Sequence, residues 1–242
     1  MQSAPDAAPK RGSERAGQVR RVFSEIAPRY DLLNHVLSLN IDRRWRKAAV
    51  GQLDWERAPE GRYLDACAGT YDLSLALVRS EGFRGRVVAA DFAHPMLAQG
   101  AAKIAGAPVS PVCGDTLELP FRAGAFDGAT VGFGVRNLAD VRAGLAELRR
   151  VLKPGARLVV LEFTEPPNRL VRAGYLFYFR RILPVVGRIV SGHAWAYTYL
   201  PESVKEFPTP EEFAALFEAV GFREVGWRLL TGGIAALHWG RA

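Results

Sequence analysis

Short apolar runs alternate with amphipathic segments along most of the chain. The run "RYLDACA" precedes "DLSLALVRS", whose apolar residues recur at helical spacing. The β-branched run "GRVVAADF" precedes "PMLAQGAAKIA", a helical pattern that we expect to begin just after Pro95. Strands that alternate with helices are typical of a parallel sheet with helices on both faces. The pattern therefore predicts an α/β fold.

The same alternation continues towards the C-terminus. "APVSPVCGD", "FDGATVGFG" and "RLVVLEFTE" predict three more strands, and "DVRAGLAELRRVLKPG" predicts a helix that stops at Pro154-Gly155. "PTPEEFAALFEAVGF" predicts an amphipathic helix with Thr209 as N-cap and Gly221 as C-cap. "REVGWRLLT" and "GIAALHWG" predict a terminal hairpin. The whole pattern predicts a seven-stranded, mostly parallel sheet with a terminal antiparallel hairpin.

The length of the chain and its hydrophobic pattern predict one domain with two helical additions. Residues 1–19 have no hydrophobic period, so we expect a disordered tail. We expect a single domain over 20–242, with a helical lid at 20–50 and a helical insertion facing substrate or membrane at 168–205. A chain of 242 residues, 49% of them hydrophobic, suffices for one sizeable core. No apolar stretch reaches the roughly 20 residues of a bilayer span, and a signal peptide is missing, so we expect a cytoplasmic protein.

Basic residues are concentrated in clusters, and the net charge is +7. One cluster lies at 43–47, and a second, between 169 and 188, is interleaved with aromatic residues. Basic and aromatic residues together suit a membrane interface as well as RNA. Cys67 and Cys113 fall at predicted ends of buried strands, without His or Cys partners nearby. We therefore expect reduced, buried packing residues, and neither a disulfide nor a metal site.

Acidic or small residues follow the predicted strands, where ligands of doubly wound sheets bind. The five strands are expected to end at Asp65, Asp91, Gly114-Asp115, Gly132-Phe133-Gly134 and Glu162. Asp91 can accept both hydroxyl protons of a ribose diol, and Asp115 can accept from an adenine amino group. Taken singly, Asp65 and Asp115 are as consistent with capping a loop. Glu162 and Asp72 are structural or secondary candidates.

The turn after the first predicted strand, "CAGTYD", contains one glycine, Gly69. A dinucleotide pyrophosphate or a P-loop requires several glycines, or a following Gly-Lys-Ser/Thr, and this turn has neither. S-adenosylmethionine is a nucleoside with a sulfonium and an amino-acid tail but no phosphate, so one close backbone approach suffices. Although Gly69 alone is as consistent with a plain turn, three acidic strand ends beside it favour an S-adenosylmethionine site.

Six segments carry a resemblance to a known family. They are "VFSEIAPRYDLLNHVLSLNIDRRWRK", "LDACAGTYDLS", "VVAADFAHPML", "LPFRAGAFDGATVGFGVRNLAD", "LRRVLKPGARLVVLEF" and "YTYLPESVKEFPT". Together they resemble the menaquinone/ubiquinone biosynthesis C-methyltransferases, from about Val22 to the end. "GVRN", "APRYDLLN" and "YLPESVKEFP" are the specific segments, whereas "LPF…FD" and the "VLKPG" segment are common to many class I methyltransferases and specify only the fold and the cofactor. The resemblance implies a Rossmann-like class I methyltransferase fold and S-adenosyl-L-methionine as cofactor.

The resemblance and the strand ends together predict a cofactor site. Its residues are Ala68, Gly69, Thr70, Asp91, Phe92, Gly114, Asp115 and Gly132. The chain departs from the family's usual A-G-G-T-G-D turn at Tyr71, which replaces a small residue beside the methionine moiety. Tyr71 must point away, rearrange the loop or shrink the pocket. Gly132 replaces a serine of the family, and Gly114-Asp115 replaces a common Asn-Ala pair.

The reaction that the resemblance implies is methylation of a polyprenylated quinol ring. A ring carbon becomes nucleophilic when a neighbouring hydroxyl is deprotonated, so the site needs a base or a positive charge. We predict that Arg136 stabilises the phenolate, while Asn137, Tyr30 and Asp31 line the substrate pocket. A surface salt bridge is the alternative for Arg136. His35 and His193 are further candidates for accepting the proton.

Two other functions remain open from the sequence. A class I methyltransferase for another small molecule would share the nucleotide half, and a degenerate methyltransferase fold could serve as a scaffold. For the resembling enzyme, the expected partner is a polyprenylated quinol, naphthoquinol or benzoquinol, and no nucleic acid. Basic and aromatic residues between Leu170 and Val190 predict peripheral contact with the inner face of the membrane, with a solvated helix as the alternative. A homodimer is also left open.

Overall fold

A single seven-stranded sheet organises the chain. The structure, a computed structural model, describes residues 40–178, 181 and 203–242. The strands are β1 (Arg62–Ala66), β2 (Arg86–Asp91), β3 (Val109–Cys113), β4 (Phe126–Gly132), β5 (Leu152–Phe163), β6 (Arg223–Leu230) and β7 (Ala235–Arg241). Their order across the sheet is β3-β2-β1-β4-β5-β7-β6. The strands β1 to β5 are parallel, whereas β7 runs antiparallel to both β5 and β6. The predicted sheet with its terminal hairpin is confirmed.

Six α-helices with both ends inside the described residues connect or flank these strands, and residues 203–206 are also helical. They are α1 (Asp42–Gln52), α2 (Asp72–Val78), α3 (His94–Gly100), α4 (Val141–Val151), α5 (Arg169–Phe177) and α6 (Pro210–Ala219). Thr209 caps α6 as predicted: its hydroxyl accepts from Glu212 N–H, and the Glu212 carboxylate accepts from Thr209 N–H.

The core lies on both faces of the sheet because consecutive residues of the central strands point to opposite sides. In β5, Leu158 and Val160 pack in the cluster that contains buried residues of α4 and α6. Val159 and Leu161 pack in the other cluster, with α1, α2 and α3. All four side chains are fully buried. A strand buried on both faces explains why "RLVVLEF" reads as a continuous apolar run.

Several predicted boundaries are wrong by one to three residues. The helix α4 ends at Val151, not at Pro154-Gly155, which lie in an irregular stretch at the start of β5. Gly155, at φ +77°, donates its N–H to the Ala242 carbonyl, a partner at the far end of the chain. The C-cap of α6 is Val220, and Gly221 follows it at φ +93°.

Small shifts also affect three predicted element ends. The strand β1 ends at Ala66, one residue after Asp65, and β5 ends at Phe163, one residue after Glu162. The helix α3 begins at His94 rather than after Pro95, because proline is tolerated in the first turn, where its missing N–H has no helical partner.

The two cysteines differ from the prediction of buried packing residues. Cys113 is exposed because β3 is the edge strand of the sheet, and Cys67 is half-buried in the turn after β1. Among the described residues, no helix is both long enough and apolar enough to cross a bilayer. The predicted tail 1–19, most of the lid 20–50 and most of the insertion 168–205 lie outside the described residues.

Candidate functional site

A cleft opens at the carboxyl ends of β1, β2 and β4. The register pairs Ala66 of β1 with Ala90 of β2 and with Val131 of β4, so these strands end at the same edge. Two adjoining pockets lie there, with empty volumes of about 480 and 350 Å³ that include open solvent. They share four lining residues, Cys67, Gly69, Gly132 and Phe133. Because the two pockets share these residues, one elongated ligand can span both.

Asp91 ties the first turn to the end of the second strand. Its Oδ2 accepts from Gly69 N–H at 2.8 Å, and its Oδ1 accepts from Ala93 N–H at 2.8 Å. The residue is 5% exposed, and burial raises the pKa of its carboxyl. Each carboxylate oxygen can accept a further hydrogen bond, so the group can still receive hydroxyl donors from the larger pocket, which it lines.

The first turn keeps Tyr71 out of the cleft. The residue has φ +70°, and its ring is 1% exposed. The Tyr71 hydroxyl donates to the Leu97 carbonyl at 2.7 Å, and the ring lies against Gly100, where a Cβ would come within 2.6 Å of Tyr71 Cδ2. Of the three predicted outcomes, the ring points away. Tyr71 lines neither pocket, so both keep their space.

The larger pocket has a mixed apolar and polar lining. Among its residues are Phe92, Met96, Asp115, Thr116, Asn137 and Leu138. Asp115 Oδ1 accepts from Leu117 N–H at 2.9 Å, so this carboxylate caps its loop while it lines the pocket. Gly114 donates its N–H to the Asp91 carbonyl, which holds the ends of β2 and β3 together. The sequence-predicted residues Phe92, Asp115 and Gly132 therefore meet at one pocket with Asp91.

The smaller pocket is lined by ionisable groups. It contains the predicted residues Ala68, Gly69 and Thr70, together with Arg46, Asp65 and Asp72. Asp65 Oδ2 accepts from both Ser74 N–H and the Ser74 hydroxyl, and Oδ1 accepts from the Thr130 hydroxyl. Burial raises the pKa of Asp65 to about 6. These bonds hold the start of α2 against the sheet, so Asp65 has the capping role that was one of its two interpretations.

Arg136 takes part in a buried ion pair, not in a surface one. Its Nη1 donates to Glu162 Oε1 at 2.6 Å and to the Phe133 carbonyl at 2.5 Å, and its Nε donates to Ser203 Oγ at 3.3 Å. Arg136 is 8% exposed, and Glu162 is fully buried. The guanidinium also lies over the Phe163 ring. The surface salt bridge considered for Arg136 is therefore wrong.

The sequence-predicted catalytic group is only partly within the described residues. Asn137 lines the larger pocket, with its Nδ2 3.4 Å from the Phe133 carbonyl. Tyr30, Asp31, His35 and His193 lie outside the described residues.

Two residues contribute more to the site than the sequence predicted. Glu162, a secondary candidate, is the buried partner of Arg136, and Arg46 lines the smaller pocket. The signal for Arg46 was its spacing from Asp42, with which it forms an i,i+4 ion pair beside the buried Trp45.

Comparisons with known proteins show which family the chain belongs to. A model of the ubiE/COQ5 methyltransferase family matches residues 10–242. A demethylmenaquinone methyltransferase of Thermus thermophilus is 52% identical over 90% of this chain and 99% of its own. A ubiquinone/menaquinone biosynthesis C-methyltransferase of Geobacter sulfurreducens is 44% identical over 94% and 90%.

Solved structures support the fold. A SAM-dependent methyltransferase of Thermotoga maritima superposes with a TM-score of 0.63 at 19% identity, over 91% of this chain and 98% of its own. This likeness concerns the fold alone, which is the class I methyltransferase fold predicted from the sequence. The match over residues 10–242 and the identity of the relatives decide the family. The chain belongs to the ubiE/COQ5 methyltransferase family, which confirms the resemblance, the enzyme class and the cofactor predicted from its sequence.

Proposed function

We propose that this protein transfers a methyl group from S-adenosylmethionine to a ring carbon of a polyprenylated, demethylated quinol, with a demethylmenaquinol as its first substrate. The names of the relatives in Thermus thermophilus and Geobacter sulfurreducens support this substrate class. The observation that carries the proposal is the pair of adjoining pockets beside a turn with one glycine, with the buried pair Arg136–Glu162 next to their shared wall at Phe133.

The residues of the cleft fit the cofactor. Asp91 retains acceptor capacity for a ribose diol, and Asp115 faces the same pocket for an adenine amino group. In the smaller pocket, Asp72 Oδ2 is buried and accepts no hydrogen bond from any described residue, which suits a cationic group of a ligand. Gly132 has no side chain, so its backbone lines both pockets directly. When bound, S-adenosylmethionine supplies an electrophilic methyl group.

Arg136 and Glu162 have complementary roles in the proposed mechanism. The quinol must lose a hydroxyl proton before its ring carbon becomes nucleophilic, and a nearby guanidinium stabilises the resulting phenolate. Glu162 and the Phe133 carbonyl fix the guanidinium through Nη1, so its position is set before the substrate arrives. Asn137, on the same turn (Val135–Asn137), is available to orient a quinol oxygen.

The test is a methylation assay with reduced and oxidised forms of the same demethylated naphthoquinone. We expect product from the quinol only, because the oxidised ring has no hydroxyl to deprotonate. Arg136→Met should lower kcat about 10²- to 10³-fold, the usual loss when one preorganised stabilising group is removed. Arg142→Met, at an exposed position of α4, is the matched control and should retain the wild-type rate.

A second variant separates catalysis from folding. Removing one partner of a buried ion pair costs about 3–5 kcal/mol, so Arg136→Met alone destabilises the protein. The double variant Arg136→Met/Glu162→Gln removes both charges and should recover stability, measured by urea unfolding, without recovering kcat. A double variant that methylates at the wild-type rate would show that Arg136 is structural. An absence of methylation of any demethylated quinol by the wild type would refute the proposed function.

The substrate's tail suggests why α5 is apolar on its outer side. Leu170 is 84% exposed and Phe177 is 60% exposed, while Tyr175 on the same helix is buried. Residues seven apart lie on one helix face, and Arg169 is adjacent to Leu170. This arrangement supports the proposal that the protein contacts a membrane surface peripherally, where a polyprenylated ring resides. The other basic and aromatic residues predicted for this contact lie mostly outside the described residues.

A further inference from the structure

Arg136 is held by parts of the chain that lie far apart in the sequence. Its Nη1 donates to Glu162, near the end of β5, and to the Phe133 carbonyl, directly after β4. Its Nε donates to Ser203 Oγ at 3.3 Å, and Ser203 lies 67 positions further along the chain. The proposed mechanism uses the two contacts of Nη1 and gives no role to the contact of Nε.

The contacts on the side of the sheet set the position of Nη1. Glu162 Oε1 also accepts from Phe163 N–H at 2.9 Å, and Glu162 Oε2 accepts from Arg136 N–H at 3.3 Å. This carboxylate is fully buried, so the surrounding core restricts its movement. An arginine side chain has several rotatable bonds, and a guanidinium anchored through Nη1 alone can still tilt. A second hydrogen bond, at Nε, fixes its plane.

Ser203 supplies this second anchor from a buried position. It begins the helical stretch 203–206 and is 3% exposed, and its neighbour Val204 is also buried. Tyr175 of α5 is buried as well: burial raises the pKa of its hydroxyl, and the charge of Arg136 acts in the opposite direction. Water is therefore largely excluded from the contact between Ser203 and Arg136, and a hydrogen bond is electrostatically stronger where water is excluded.

We propose that Ser203 is a positioning residue for the methyl transfer: its hydroxyl holds Nε of Arg136, so that the guanidinium plane is set for the phenolate. This inference rests on the proposed function, in which Arg136 stabilises that phenolate. Such stabilisation depends on donors that are in place before the charge develops, and a small displacement lowers the rate. The alternative is that Ser203 only satisfies a buried N–H of Arg136, without an effect on the rate.

The kinetics of Ser203→Ala test this role. We expect kcat to fall about 10-fold, the low end for one hydrogen bond to a charged group. The KM values for the quinol and for S-adenosylmethionine should stay unchanged, since the positioned guanidinium acts on charge that develops in the transition state. Ser203→Cys, which nearly keeps the volume but has only a weak acceptor, should also lower kcat and so separates hydrogen bonding from packing.

The matched control is Ser80→Ala. The Ser80 hydroxyl donates to the Ala76 carbonyl of α2 at 3.1 Å, so this variant also removes a serine hydrogen bond, but away from Arg136. It should retain the wild-type kcat. A Ser203→Ala variant that does the same would overturn the proposal.

A double-mutant cycle shows whether the serine acts through the arginine. In the Arg136→Met background, Ser203→Ala should lower kcat no further, because the group that it positions is already absent. If the losses of the two single variants instead multiply, Ser203 acts independently of Arg136 and the proposal is wrong.

A second measurement does not depend on the reaction. The Nε–H signal of Arg136 in heteronuclear NMR is identified by its absence from Arg136→Met. In Ser203→Ala this proton should exchange with solvent about 10-fold faster, because its hydrogen bond is lost, whereas Ser80→Ala should leave the exchange unchanged. Unchanged exchange in Ser203→Ala would also overturn the proposal. If the exchange responds as expected but the wild type methylates no demethylated quinol, the proposed function is refuted and the anchoring of Arg136 by Ser203 is retained.

Discussion

Tyr71 and Gly100 depend on each other, and their dependence can be measured. A Cβ on Gly100 would lie 2.6 Å from Tyr71 Cδ2 and 2.9 Å from Thr70 Cα. Gly100→Ala should therefore lower the free energy of unfolding by about 1–3 kcal/mol, the usual cost of overpacking. In a Tyr71→Gly background the same change should cost less, because the ring is gone and only the Thr70 contact remains. Urea unfolding of the four proteins measures the coupling.

Gly51→Ala is the matched control for this cycle. Gly51 lies in α1, and a Cβ there would meet no atom within 4 Å. Alanine is favoured over glycine in a helix by about 0.5–1 kcal/mol, so this variant should be as stable as the wild type or more so. Equal costs of Gly100→Ala with and without the Tyr71 ring would contradict the coupling between the two residues.

Some side chains of the site could be predicted from the sequence, and others could not. The acidic strand ends predicted the floor of the cleft, and Asp91 lines it as expected. The orientation of Tyr71 could not be predicted, because its packing partner Gly100 is distant in the sequence and carries no side chain to signal the contact. Arg46 was grouped with its exposed neighbours Arg43 and Arg44, although only Arg46 lies on the buried side of α1. Its ion pair with Asp72 could not be predicted, because that contact depends on where α2 packs against α1.

The strand β7 contains a histidine whose burial makes stability depend on pH. His238 is fully buried among Phe213, Phe217 and Trp227. Its Nε2 lies 3.0 Å from the Pro210 carbonyl, so Nε2 donates, and Nδ1 has no partner in the described residues. Burial lowers the pKa of His238 to about 4 from an ordinary 6.5. A proton on Nδ1 would place a charge in an aromatic surrounding.

The sign of the effect follows from these two pKa values. Between pH 6.5 and 4 the unfolded chain binds a proton at this histidine that the folded protein does not, so stability falls as the pH falls. The contribution is present above pH 6.5, and up to about 3 kcal/mol is lost by pH 4. Urea unfolding of wild type and His238→Gln at several pH values should show that the variant lacks this loss.

The wild type and the His238 variant must be compared, because Asp65 contributes a pH dependence of stability with the opposite sign. Burial raises the pKa of Asp65 to about 6, so its contribution to stability rises as the pH falls through 6. That contribution is common to the wild type and the His238 variant and cancels in their difference. His94→Gln, at an exposed position, should keep the wild-type pH dependence. A His238 variant with the pH profile of the wild type would show that folding does not change the pKa of the histidine.

At the scale of elements, the hydrophobic patterns predicted the order and type of the helices and strands more accurately than their boundaries. The alternation of strands and helices and the final pair of strands gave the sheet, because each element must bury an apolar face. The end of α4 was misplaced because Pro154-Gly155 are accommodated in a bulge whose hydrogen-bond partner, Ala242, is the last residue. The exposure of Cys113 was missed because edge position is a property of strand order, which apolar runs alone do not fix.

The whole molecule combines a cofactor cleft with a net positive charge and an outward-facing apolar pair on α5. The chain carries a net charge of +7, and α5 presents Leu170 and Phe177 outward beside Arg169. The cleft could be predicted from sequence because parallel strands end at one edge. The substrate half could not be assembled in the same way, because its predicted residues Tyr30 and Asp31 lie outside the described residues. Membrane contact therefore has to be tested on the protein itself.

Flotation with lipid vesicles tests the contact that we propose for α5. We expect the full chain to float with vesicles containing anionic lipid, and less with zwitterionic ones, because basic residues are attracted to anionic headgroups. Leu170→Ser/Phe177→Ser should lower the partition coefficient about ten-fold or more, since each apolar side chain gains about 1.5–3 kcal/mol when fully buried. This double variant leaves the net charge unchanged, so its effect isolates the apolar part of the contact.

The matched control replaces two exposed alanines elsewhere, Ala102→Ser/Ala143→Ser, and should float as the wild type does. Methylation of a short-chain, water-soluble quinol by the Leu170/Phe177 variant should proceed at the wild-type rate, because the cleft lies on other elements. Activity on a long-chain quinol in vesicles should fall together with flotation, since the ring must then be reached at the membrane surface. If the variant floats as well as the wild type, or if both float equally with zwitterionic vesicles, α5 is a solvated helix and the polyprenylated substrate reaches the cleft by another route.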